Sequence, residues 1–220
     1  MTADIKYFIG YLENEKKASK NTVISYQRDL VQLAAYLEAK GITEAEKVTK
    51  TSLNSYILYL EKEGKATTTI SRELASIKAF FHYELREGRI RRDPAEFIKA
   101  PKVEKKAPVI LTVNEVNALL CQPGDRTPKE LRDKAMLELL YATGIRVSEL
   151  ISLKLTDVNM QVGYITCRDR SKERMVPFGK NARQALVQYM GEARTELLKG
   201  KNSDWLFTNC NGQAMSRQGF

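Results

Sequence analysis

Apolar residues recur through the first 88 positions at steps of three and four, the spacing of one helical face, and they fall into four blocks. Ile5, Phe8, Ile9 and Leu12 mark a short helix over residues 2–14. Ser19, Lys20, Asn21 and Thr22 offer cap residues for a second, whose face reads Tyr26, Leu30, Leu33 and Leu37 before Gly41 stops it. A third, over 50–63, carries Leu53, Tyr56, Ile57 and Leu60 and closes at Gly64; a fourth carries Ile70, Leu74, Ile77, Phe81 and Leu85 and closes at Gly88. Each buries one stripe and leaves the rest polar, so residues 1–88 predict a four-helix bundle.

Residues 89–108 lose the helical period, hold three prolines and many charges, and read as an inter-domain linker on which Phe97 and Ile98 dock locally. The second unit, 109–220, opens with a capping box, Thr112 and Glu115, for a short helix containing Val116, Leu119 and Leu120. After a polar turn, Pro128 suits the first position of a helix to residue 143, with Leu131, Ala135, Met136, Leu139 and Leu140 inward. Past Asp157 the period changes to two: Y-I-T-C, a charged turn R-D-R-S-K over 168–172, then E-R-M-V-P-F predict a β-hairpin. Residues 181–198 return to helix, 205–208 form a short buried segment, and Ser216 caps a helix that the sequence does not complete, which suggests a fragment. The class is mostly α with one small β-hairpin, without tandem repeats.

Charge adds a partner to this picture. The chain carries +9 with a pI near 9.4, divided +5 over residues 1–106 and +4 over 107–220, so a polyanion is the expected partner of both halves. Cys121, Cys167 and Cys210 lie far apart, too few for a disulfide framework and without metal-ligand spacing, which fits a reducing, cytoplasmic setting. The N-terminus lacks a signal-peptide pattern and no apolar run approaches a membrane span, so no membrane association is expected. The single histidine, His82, has no carboxylate or thiol partner placed by the sequence and reads as a packing or surface residue. Metal-binding motifs and a phosphate-binding Walker loop are missing, so neither metal nor cofactor is expected.

The stretch 141–155, Y-A-T-G-I-R-V-S-E-L-I-S-L-K-L, concentrates the chemistry. Gly144 supplies the positive φ that ends one helix, and Arg146 opens the next, which runs through Leu153, at a corner where free N–H groups and the helix dipole favour an anion such as phosphate. With A-T-G-I-R-V-S-E-L-I-S-L-K-L-T-D-V followed by a hairpin and K-E-R-M-V-P-F, the second unit resembles the catalytic domain of the tyrosine recombinases of the phage-integrase family, Xer type. S-K-N-T-x-x-x-Y-x-R-D-L in the bundle is similar to that family's SAM-like core-binding domain. The resemblance spans nearly the whole chain.

It implies site-specific DNA recombination by metal-free transesterification. A tyrosine attacks the scissile phosphodiester to give a 3′-phosphotyrosyl link, while preorganised cations neutralise charge growing on the phosphate oxygens. By position, Arg146 is the first arginine of that cluster, its fork suited to two phosphate oxygens. Glu149 matches the carboxylate that orients the site, with an ordinary helix-surface acid as the alternative. The family's hairpin lysine, which protonates the leaving oxygen, falls on Asp169 here; Lys172 is the nearest lysine and the candidate replacement, with Arg170 or no residue as alternatives. The family's His-x-x-Arg motif and nucleophile lie past the position matching Phe220. Of ten tyrosines, Tyr26, Tyr36, Tyr56, Tyr59, Tyr141 and Tyr189 read as core-facing and Tyr164 starts a strand, so this polypeptide by itself is expected to bind DNA without cleaving it. Expected DNA contacts are Lys20, Asn21, Thr22, Arg28, Thr68, Arg72 and Lys78 in the bundle and Arg168, Arg170 and Arg174 in the hairpin. The two lobes would embrace double-stranded DNA, as homo- or hetero-tetramers in the family. The rival reading is a non-catalytic DNA-binding module or regulator with the recombinase fold; a helical protein-interaction scaffold would leave the basic hairpin unexplained.

Overall fold

A computed structural model of the chain describes residues 1–102, 107–169 and 172–220, with Asp169 and Glu192 described by backbone alone. Contacts group them into two units, Met1–Ala107 and Pro108–Phe220.

The first unit holds α1 (Thr2–Asn14), α2 (Lys20–Glu38), α3 (Lys50–Lys62) and α4 (Thr67–Arg86), with a 3₁₀ turn at Ala45–Lys47. The caps are local: the Ser19 hydroxyl accepts the Thr22 N–H at 3.0 Å, and Thr49 and Ser52 cap α3 reciprocally. Phe8, Leu30, Leu33, Leu37, Leu53, Leu60, Phe80 and Phe81 fill the core, with Phe8 edge-on to Phe80 at 5.7 Å. Leu85, read as the end of the α4 stripe, is exposed.

A polar seam crosses this core. Asp29 on α2 is buried and pairs with Arg72 on α4, and the Ser76 hydroxyl donates to it at 3.4 Å. On α3, the Tyr56 hydroxyl donates to Glu73 Oε2 at 2.9 Å. Burial raises the pKa values of both Tyr56 and Glu73, so the phenol keeps the proton that it donates. Buried acids are tolerated because each has its donors.

The segment expected to link the units is not uniform. Ile90, Ala95 and Ile98 are buried in the first core, whereas Phe97, expected to dock beside Ile98, is 72% exposed. The first twelve residues after α4 thus close the bundle, which periodicity cannot reveal because they have none.

In the second unit, α5 (Val113–Leu120), α6 (Pro128–Thr143) and α7 (Val147–Ile151) precede a 3₁₀ turn at Leu155–Asp157. Next come β1 (Val158–Asn159), β2 (Tyr164–Asp169) and β3 (Lys172–Pro177), then α8 (Lys180–Gln188), a π-helical turn at Tyr189–Ala193 and α9 (Arg194–Leu198). The sheet is antiparallel in the order β1-β2-β3, with Ile165 opposite both Val158 and Val176, Cys167 opposite Arg174, and Asp169 opposite Lys172. Ala135, Met136, Leu139, Leu150, Ile165, Leu186 and Phe207 form its core.

Four expectations change. The short β1 adds a third strand; two residues give no readable period. Strand pairing continues to Asp169 and Lys172, so the hairpin turn is narrower than R-D-R-S-K, with residues 170 and 171 outside the described set. The helix over 181–198 is interrupted by the π turn, which widens the backbone spiral where tertiary bonds converge. There the Tyr189 hydroxyl donates to the Leu206 carbonyl at 3.0 Å, and Arg194 to those of Ser203 and Trp205 at 2.6 and 2.8 Å. Among the tyrosines, Tyr141 is 62% exposed, because it lies off the 135–136–139 stripe, and Tyr59 is partly exposed against Tyr36 and Tyr56. Leu206, Phe207 and Thr208 are buried as expected, and Ser216 caps a single turn, accepting the Gly219 N–H at 3.1 Å. Among the described residues, no helix is long and apolar enough to cross a membrane.

Candidate functional site

Gly144 ends α6 with φ 61°, its N–H donating to the Leu140 carbonyl at 2.8 Å, and so turns the chain toward α7. Arg146 is the extended N-cap residue of α7. Its backbone N–H donates to Glu149 Oε2 at 2.8 Å, so the anion at this helix start is the chain's own carboxylate rather than an incoming phosphate. That differs from the expectation for the corner, and the reason is local: a glutamate three residues past the cap completes a capping box.

Glu149 is nearly buried and receives a second donor pair from the sheet. Arg174 forks onto it, with Nη1 to Oε1 at 2.8 Å and Nη2 to Oε2 at 3.0 Å. The Arg174 bond, foremost, holds the Glu149 carboxyl below the usual carboxylate range, so it stays ionised. The Arg146 guanidinium touches the same carboxylate only at 3.5 Å and is 72% exposed. Glu149 is therefore not a helix-surface acid; it anchors Arg174 and the Arg146 backbone while the Arg146 fork stays turned outward.

A second buried acid repeats the pattern. Asp157 Oδ2 accepts the Lys154 N–H at 2.8 Å, closing the 3₁₀ turn, and its Oδ1 pairs with Arg168. Arg168 also lies 3.5 Å from Glu173, its partner across the hairpin. The Asp157 bond raises the already high pKa of Arg168. Beside Glu149 opens a polar depression of about 270 Å³ lined by Arg146, Ser148, Glu149, Ser152 and Arg168. A neighbouring hollow of about 240 Å³ shares Glu149, Ser152 and Arg168 and reaches Asp157, Cys167 and Trp205. Burial pushes the Cys167 thiol up, so it stays protonated and apolar.

Of the expected site residues, the fold thus gathers Arg146, Glu149, Arg168 and Arg174. Lys172 is exposed at the start of β3, two positions from Arg174 and so on the same strand face, opposite Asp169. Arg170 lies outside the described residues. In the first unit, Lys20, Asn21 and Arg28 are exposed on one face of α2, the last two seven residues apart, whereas the Thr22 hydroxyl is 2.7 Å from that of Ser19 within the cap. Thr68 is exposed; Lys78 donates to the Glu96 carbonyl at 3.4 Å; Arg72 is occupied by Asp29. His82 is exposed. Among the described residues, no three His, Cys, Asp or Glu side chains group as metal ligands. A larger opening of about 600 Å³ in the first unit, lined in part by Lys50, Arg91, Arg92 and Phe97, contains none of the catalytic or DNA-contact residues expected from the sequence. Asp157, Ser148 and Ser152 escaped the sequence reading; Lys154-Leu-Thr-Asp157, a residue with an acid three positions on, is the signal that marks Asp157 as a turn cap.

Comparison with known proteins agrees with this geometry. The phage integrase family model matches residues 110–220, and the N-terminal SAM-like domain of phage integrases matches residues 5–88. Tyrosine recombinase XerD of Halalkalibacterium halodurans is 41% identical over 219 residues, covering 99% of this chain and 73% of that protein. In fold, the Tn1549 transposon integrase, solved in complex with a circular intermediate DNA, superposes with a TM-score of 0.73 at 16% identity, over 98% of this chain and 74% of that one. The lambda integrase tetramer bound to a Holliday junction gives 0.72 at 17%, over 97% and 58%. With both domain models matched in order, the chain belongs to the phage integrase family.

Proposed function

We propose that this chain serves site-specific DNA recombination of the tyrosine-recombinase type, in which DNA strands are broken and rejoined through a 3′-phosphotyrosyl intermediate. The observation that carries the reading is the exposed Arg146 fork over a polar depression whose own carboxylate, Glu149, is already occupied by Arg174. A guanidinium in that state is free to take two oxygens of a phosphodiester, and its partner groups need no rearrangement to let it do so. Glu149 orients Arg146 and Arg174. Lys172, on the strand face of Arg174, protonates the leaving oxygen in place of a lysine at Asp169. Lys20, Asn21, Thr22, Arg28, Thr68 and Lys78 of the first unit and Arg170 of the hairpin hold the DNA backbone outside the reacting phosphate, whereas Arg72, expected among them, is spent on Asp29. The partner is double-stranded DNA, bound in homo- or hetero-tetramers, and the chemistry draws on side chains alone.

A second reading, a DNA-binding module without strand cleavage, is favoured by one observation: Asp169 stands where the hairpin lysine is expected. Two measurements decide. Affinity for a duplex of about 30 base pairs should fall ~10³-fold or more between about 50 and 200 mM salt if six or more phosphates are contacted; a flat salt response would remove DNA binding itself. In the protein expressed from its complete gene, a nicked duplex should trap a covalent adduct that Arg146→Ala abolishes while weakening binding only about tenfold. No adduct from the wild type would leave the binding-module reading standing.

A further inference from the structure

We infer that Arg168 is a second phosphate-holding residue of the Arg146 site, positioned there by Asp157, rather than a hairpin arm reaching away into a groove. The inference rests on the phosphate reading of Arg146 and deepens it.

Three observations place Arg168 in that role. It lines the same depression as Arg146, Ser148 and Ser152, although it comes from β2 and they come from α7 and its ends. Its guanidinium is tethered through Nη1 by the buried Asp157, whose other oxygen is locked to the Lys154 N–H, so the tether cannot swing. It remains 56% exposed, and among the described residues its five N–H donors have ion-pair partners in Asp157 and, at 3.5 Å, Glu173. A guanidinium pinned through Nη1 to a buried acid presents its remaining donors at a fixed place. An arm free to reach into a groove would lack that constraint.

The arrangement parallels Arg146. Each arginine has a nearly buried carboxylate behind it, Glu149 or Asp157, and each carboxylate also caps a backbone turn. Glu149 also lines the depression, but its oxygens are taken by the Arg146 N–H and the Arg174 fork, so an anion there meets the two arginines beside an already neutralised acid. Two forks on one phosphate supply more charge neutralisation than Arg146 alone, which suits a site whose hairpin carries an aspartate at 169.

The test is a set of double-mutant cycles read as affinity for a duplex of about 30 base pairs at about 50 mM salt. Arg146→Ala and Arg168→Gln should each weaken binding about tenfold, and the double variant clearly less than the about hundredfold expected of independent contacts, because both hold one phosphate. Arg168→Lys, which keeps the charge but loses the fork, should recover only part of the loss. Asp157→Asn retains an acceptor for the Lys154 N–H and removes the charge behind Arg168. It should weaken binding when Arg168 is present and change nothing in the Arg168→Gln background, whereas a merely structural aspartate would cost the same in both. If Arg146→Ala weakens binding and Arg168→Gln does not, or if their losses multiply fully, the inference about Arg168 is wrong and the reading of Arg146 survives. If neither substitution weakens binding, the reading of Arg146 falls too.

Discussion

Glu149 shows how much one side chain settles at this site. Its carboxylate closes the α7 cap through the Arg146 N–H and takes both ends of the Arg174 fork, so removing its charge undoes a local and a long-range contact together. Glu149→Gln should cost the second unit about 2 kcal/mol in denaturant unfolding, the scale of hydrogen bonds to a charged group. The pH dependence has a definite sign. The folded carboxyl lies below its unfolded value, so the stability it contributes is complete above the unfolded pKa of about 4.3 and is lost as pH falls through the folded value. The acid-unfolding profile of Glu149→Gln should therefore be flatter below about pH 4.3, and an unchanged profile would remove Arg174 as the cause. Glu173 is the exposed competitor for Arg168. Glu173→Gln should leave stability nearly unchanged and raise DNA affinity about two- to threefold, beyond which the pair would be more than a weak surface contact.

At the scale of elements, two junctions matter. Gly144 carries φ 61° with open space where a Cβ would stand, so Gly144→Ala meets backbone strain alone, about 1 kcal/mol, and Gly144→Asn should cost less because asparagine tolerates this region. Equal stability of the two variants would mean that the turn relaxes. The other junction follows α4. Ile98 is buried in the first core and Phe97 beside it is exposed, so Ile98→Ala should destabilise the first unit by about 2–4 kcal/mol while Phe97→Ala stays within about 0.5 kcal/mol. Urea unfolding of both variants reads this contrast directly. A free linker would give two silent substitutions.

For the molecule as a whole, the two units should answer acid in opposite directions. Burial raises the carboxyls of Glu73 and Glu84 in the first unit, so their contribution improves as pH falls toward about 4.3, the unfolded value, and declines as pH rises through the raised folded values. Glu149 in the second unit gives the reverse slope below about pH 4.3. Comparing melting temperatures of wild type, Glu73→Gln and Glu149→Gln across the acid range should separate the two signs, each substitution removing the slope that its own carboxyl contributes. Much of this architecture was already legible in the chain. Periodicity located all four bundle helices, the Thr112 and Pro128 starts and the Gly144 stop, because caps, turns and single-face stripes depend on neighbours within about four positions. The sequence alone also determined that Arg146 opens a helix with Glu149 one turn on. Contacts between distant positions were settled only by tertiary packing: Arg174 on Glu149, 25 residues away; Arg168 on Asp157; Arg72 on Asp29, 43 away; Ile98 in the first core; and the π turn that lets Tyr189 and Arg194 reach residues 203–206. Local spacing says which face a residue occupies, but not which other face it will meet, and the charge of these arginines is spent or left open according to that meeting.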